Sequence, residues 1–145
     1  MNREECVLSA FAAGERSQLS PVQVQKLFFL LDKQFAGPIG GPHFAFTPYD
    51  YGPFDPNVYG AIEGLSRQGL VEIQNRGTQH RRFVLTEKGL QLGKSYLDTL
   101  PKPARDYLYE LNSWVRRLNF RQLVSAIYLA YPDMKVNSVF REAST

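Results

Sequence analysis

Few side chains in this sequence can act as nucleophile, general base or metal ligand: His43, His80, the single Cys6 and a scatter of acids. His43 stands among Gly and Pro, and His80 in a basic stretch. Neither has the paired spacing that metal ligation or acid–base catalysis needs. Cys6 follows Glu4 and Glu5, whose charges raise a thiol's pKa, and it reads as a small buried side chain. Asp50 and Asp55 flank a turn as a carboxylate pair, but a turn role for Asp50 and a helix cap for Asp55 account for them with less. Gly37-Pro38-Ile39-Gly40-Gly41 lacks the Lys-Ser/Thr and the strand-to-helix setting of a phosphate loop. The expectation is a chain that is not an enzyme and takes neither cofactor nor metal.

Binding chemistry is better represented. Tyr49, Tyr51 and Phe54 cluster on a Gly-Pro turn, and tyrosine is enriched at protein-interface hot spots, so these three are the candidate partner-binding residues. The competing reading packs Phe44, Phe46 and Phe54 under the loop as core. A second candidate surface is basic. Residues 67–88 carry five basic and two acidic side chains, and Arg67, Arg76, His80, Arg81, Arg82 and Lys88 are placed to reach the phosphates of DNA or RNA. An ordinary solvated hairpin explains the same charges. Trp114 with Arg116, Arg117 and Arg121 marks a third surface, which a solvated helix face explains better. Residues 1–66 carry four basic and seven acidic groups and residues 67–145 thirteen and seven, so the chain's halves differ in sign. That polarity suits an anionic partner for the second half, or simply a solvated surface.

These candidates must be positioned by a mostly helical frame. A short amphipathic helix is expected over Arg3–Ala13, with Gly14 as its stop. Ser20, Pro21 and Gln23 form a capping box with Pro in the first turn, opening a helix whose Val24, Leu27, Phe28, Phe29, Leu30 and Leu31 are apolar nearly all round. Such a helix belongs at the centre of the domain. From Phe35 to Pro56, Gly and Pro argue for an irregular, aromatic-rich loop. Asp55 caps a helix bearing Val58, Ile62 and Leu65, which Gly69 closes, and Val71 to Leu85 form a β-hairpin around Asn75-Arg76-Gly77-Thr78. Thr86 caps the next helix. Two strongly periodic helices then run through Ala104–Leu118 and Phe120–Tyr131, and an antiparallel pair covering the core is expected. The helix before the hairpin exposes Asn57, Glu63, Ser66, Arg67 and Gln68, a poor set for reading a DNA groove.

With 145 residues, 43% hydrophobic and 13% aromatic, the chain suits one folded domain, with its core over about 3–100 and the helical pair over about 101–135. The fold class expected is mainly α (α+β): a winged-helix-like core, one β-hairpin wing and additional C-terminal helices. No apolar run approaches the roughly 18 residues of a membrane span, and the polar Met-Asn-Arg-Glu-Glu start is unlike a secretory signal. A cytoplasmic setting without a membrane partner is the expectation.

Val24-Gln25-Lys26-Leu27-Phe28-Phe29-Leu30, then Tyr49-Asp50-Tyr51-Gly52-Pro53-Phe54 ahead of a helix ending in Gly69-Leu70-Val71, then Ala126-Ile127-Tyr128 with Tyr131-Pro132, occur in this order. Over about residues 20–135 this arrangement resembles the YwgA-like proteins and the related Panacea (SocA-like) antitoxin domain. The resemblance implies a winged-helix-like domain without catalytic activity and, in the Panacea branch, neutralisation of a partner toxin by direct protein contact. Tyr51 stands where those antitoxins more often carry Trp, which favours the YwgA-like branch. The function expected is therefore a bacterial toxin–antitoxin or defence-type domain, engaging a protein partner through the aromatic loop. The alternative is a nucleic-acid-binding regulator that uses its basic wing.

Overall fold

Asn2 and Glu5 close a capping box that starts α1 (Arg3–Ala12), and the helix is buried from Cys6 to Ala12. This is the first element of a computed structural model whose described residues are 1–141. Ala13, rather than Gly14, caps α1; Gly14 is buried against the Asn112 side chain, and the left-handed residue of the turn is Glu15. Ser20 and Gln23 make the expected reciprocal cap for α2 (Pro21–Gln34). This helix is buried without a break from Val24 to Leu31 and contacts helices and strands on every side, as an apolar-all-round pattern requires.

The segment from Phe35 to Pro56 is more ordered than its Gly and Pro content suggests. It opens with the single turn α3 (Ala36–Ile39), closed by left-handed Gly40. It ends in a hairpin, β1 (Thr47–Tyr49) against β2 (Gly52–Phe54), with Asp50 and Tyr51 at the turn. The register sets Pro48 opposite Pro53, so the two residues with no N–H to donate share one position. Asp32 fastens the segment by accepting the His43 and Phe44 N–H groups, each at 2.9 Å. Phe44 and Phe46 pack on Phe28 and Phe29 of α2.

Asp55 caps α4 (Pro56–Arg67) as expected, accepting from the Asn57 N–H, and Val58, Ile62 and Leu65 are its buried stripe. The second hairpin pairs β3 (Val71–Gln74) with β4 (Arg82–Leu85), and Leu19 joins its edge through two 2.9 Å backbone bonds to Phe83. α5 (Glu87–Leu97) lies close on α1: a Cβ at Gly93 would stand 2.6 Å from the Leu8 carbonyl oxygen. α6 (Lys102–Arg117) and α7 (Phe120–Ala130) follow, then a 3-10 turn at Pro132–Lys135.

The last two helices reach the core through different contacts. α6 docks on α1 and α2, while α7 docks on α2, β2 and the 3-10 turn. Leu118 adopts an extended conformation between them, and a groove floored by Leu30 separates Trp114 from Ile127. Phe120, placed on the apolar stripe by periodicity, is exposed. The chain is thus mainly α with two small antiparallel hairpins, and no helix among the described residues is long and apolar enough to cross a membrane.

Candidate binding cleft

The β1–β2 hairpin stands beside the N-terminal turn of α2 because Gln25 holds its far end. The Gln25 amide donates to the Asp55 carbonyl at 3.0 Å and accepts from the Asp55 N–H at 2.9 Å. Asp55 in turn accepts from Ala45 and Asn57. This buried set fixes where the hairpin leaves α2, and the hairpin then forms one wall of a cleft of about 800 Å3. The N-terminal ends of α2 and α7 and the Gln79–Arg82 side of the second hairpin supply the other walls.

All three aromatic candidates line this cleft. Tyr49 is 52% exposed and stacks on Phe54 at 4.9 Å between ring centroids; Tyr51 is 44% exposed and meets Phe120 edge-on at 5.1 Å. Phe54 is half-buried and continues edge-on into Tyr59. The rim therefore presents amphipathic rings held by other rings rather than by backbone alone. The tyrosines are exposed and the Phe residues at 44, 46 and 54 half-buried, so the segment serves as core on one side and surface on the other.

The basic candidates differ in how the fold engages them. Arg76 donates to Glu63 on α4 at 2.8 Å and to the Ser66 hydroxyl at 3.4 Å. The Arg81 guanidinium lies over the Tyr59 ring at 4.7 Å and the Phe83 ring at 5.2 Å. Arg82 turns to the cleft, donating to the Arg81 carbonyl at 2.7 Å. Arg67, His80 and Lys88 are exposed. Arg116, Arg117 and Arg121 are likewise dispersed, onto Asn112, Glu110 and the Arg141 carbonyl with the Phe140 ring, and Trp114 faces the separate groove between α6 and α7.

Lys26 is the residue the motif reading missed. It lies in the floor of the cleft, only 3% exposed, with its ammonium nitrogen 3.3 Å from the Pro53 carbonyl oxygen. Burial lowers its pKa from 10.5 to about 7. The signal was present: in a helix expected to be apolar all round, Gln25-Lys26 is a polar pair that must be buried too. Burial also raises the Tyr59 phenol. At Cys6 the thiol is pushed up to about 12, chiefly by burial and then by Asp32. The neighbouring glutamates, to which the sequence pattern assigns the shift, are not its cause. His43 is held through its backbone by Asp32 and through its ring by the Ile39 carbonyl oxygen. Among the described residues no three His, Cys, Asp or Glu side chains converge as a metal-binding group.

No family model matches the sequence, and no curated protein matches it.

Proposed function

We propose that this chain is a non-catalytic binding domain that engages a protein partner through the aromatic cleft. The observation that carries this reading is a contrast in availability. Tyr49 and Tyr51 stand exposed on the rim of a concave surface, while Arg76 is held by Glu63 and Arg81 lies on two rings. Rigid tyrosines around a concavity are what hot-spot anchoring uses, and arginines already engaged would have to break those contacts to bind phosphates.

The order α1, Leu19, α2, α4 and the β3–β4 hairpin supports a winged-helix-like core, with α3 and β1–β2 as an insertion between its second and third helices. The resemblance to YwgA-like and Panacea domains supports the same reading, and a toxin or other defence protein is then the class of partner.

A photo-crosslinking amino acid placed at Tyr51, and separately at Arg76, tests the proposal in the cells that make the protein. One discrete protein captured from position 51, weakened about 30-fold or more by Tyr49→Ala with Tyr51→Ala, is the expected outcome. Capture of nucleic acid from position 76, with affinity for double-stranded DNA falling steeply as salt rises, would replace it with the wing reading.

A further inference from the structure

The floor of the cleft holds a buried amine that meets no carboxylate among the described residues. Among the described residues neither Lys26 nor Arg82 forms an ion pair, and both line the cleft. The Lys26 amine meets one carbonyl oxygen and packs over Gly52, where a Cβ would stand 3.6 Å from its nitrogen. Two helix N-termini, those of α2 and α7, add their positive ends to the same space. Asp50 is the one acidic side chain in the lining among the described residues, and the tyrosines at 49, 51 and 59 complete its titratable groups. The Lys135 ammonium lies 5.7 Å from the Tyr128 ring, which would stand 3.3 Å from the same Cβ at Gly52.

A buried amine costs stability unless something pairs with it. Among the described residues the amine meets one carbonyl oxygen and no carboxylate, next to an open, aromatic-walled space, so the counter-ion is expected from outside. We infer that the cleft recognises a carboxylate-bearing, aromatic or aliphatic segment of a partner protein, with Lys26 and Arg82 holding the carboxylate and Tyr49, Tyr51 and Phe54 covering the apolar part. This rests on the protein-binding reading above and names what the cleft reads. Where the Lys26 amine is neutral it takes a proton from solvent as the carboxylate enters, and in either case the ammonium donates to the carboxylate. A single carboxylate fits better than a run of phosphates, because Asp50 repels a polyanion along the rim and Arg76 and Arg81 are engaged elsewhere.

The test titrates 13C-lysine-labelled protein with 3-phenylpropionate and, separately, with its neutral amide, 3-phenylpropanamide. The acid should bind about tenfold or more tightly than the amide, which is the worth of a charge-assisted hydrogen bond. The Lys26 pKa should rise by about one unit or more when the acid is bound, the same coupling read from the protein side. In Lys26→Met the preference for the acid should vanish while the amide still binds, which also shows that the variant is folded. Arg82→Gln should reduce the preference by a smaller factor.

Equal affinity for acid and amide, no binding of either, or a preference that survives Lys26→Met would overturn the inference. So would Lys26-dependent binding of inorganic phosphate or oligothymidylate in place of the carboxylate. A partner captured at Tyr51 but indifferent to Lys26→Met would remove this inference alone, whereas carboxylate selectivity without any tyrosine-dependent partner would remove the protein-binding reading alone.

Discussion

The two hairpins of this chain have the same strand arrangement and opposite uses of their side chains. The second, β3–β4, packs one side into the core: Val71, Phe83 and Leu85 are buried, Leu19 extends it by one position, and its turn from Asn75 to His80 is solvated. Two of its arginines, Arg76 and Arg81, are engaged by Glu63 and by the Tyr59 and Phe83 rings, while Arg82 turns to the cleft. The first, β1–β2, has only three residues per strand, yet its exposed faces are aromatic and its inner face covers a buried lysine. Charge count in a sequence therefore points to a hairpin two of whose arginines are already engaged. Ring exposure and one lone buried amine point to the other. Substitutions at three places sharpen or break this contrast.

The largest effect is expected at Lys26, beneath the first hairpin. Its pKa is lowered to about 7 in the fold and is 10.5 when exposed. Between those values the unfolded chain holds a proton that the folded chain lacks, so stability rises with pH and is lowest once both states are charged, below about pH 7. Lys26→Met removes the penalty and loses one hydrogen bond to Pro53. At pH 7 it should be more stable than the parent by on the order of 3 kcal/mol. The difference should shrink by about 2 kcal/mol by pH 9. Above pH 9 the Cys6 thiol, raised from 9.0 to about 12, works in the opposite direction, because there the unfolded chain ionises first and stability falls. Urea unfolding of both proteins between pH 7 and 9 reads the effect, and a constant difference across that window would mean that the amine is hydrated and not sealed under the hairpin.

Next in size is a comparison of turn glycines. Gly52 and Gly77 both have positive φ, at 103° and 75°. Alanine at Gly77 meets nothing within 4 Å and bears only the backbone cost, about 1 kcal/mol. Alanine at Gly52 bears a similar cost and in addition presses on the Tyr128 ring, 3.3 Å from the new Cβ, for about 2–3 kcal/mol in total. Equal thermal shifts for the two variants would show that β1–β2 is not seated on α7, and would weaken the case for a preformed cleft.

Much of the frame was legible because its signals are local. The capping box at Ser20–Gln23, the Asp55 cap, and the Gly69 and Asn75–Gly77 turns each depend on residues within a few positions of one another. The site was half legible: Tyr49, Tyr51 and Phe54 stand out by type, but the cleft they rim exists only where α2, α7 and both hairpins meet. Arg82 and Arg81 are neighbours in sequence, yet one turns to the cleft and the other to the Tyr59 ring, a choice made by tertiary packing. Periodicity likewise could not foresee that α6 and α7 would straddle a groove, since each helix buries the same stripe whether it meets the other or α2. The order of the segment around α3 was missed for the same reason: Asp32 and Asp55, which tie it down, lie on other elements.

The smallest expected effect concerns Arg76, and it bears most directly on the difference between the hairpins. Both partners of its ion pair are partly exposed, with side-chain exposures of 54% and 37%, so Arg76→Ala should cost less than about 1 kcal/mol. Glu63→Gln should be equally mild, but it releases the Arg76 guanidinium toward solvent. If β3–β4 is a structural wall, neither change alters affinity for double-stranded DNA at low salt. If the wing is instead a phosphate-binding surface held in check by α4, Glu63→Gln should gain DNA affinity and steepen its salt dependence by about one counterion, and Arg76→Ala should abolish that gain.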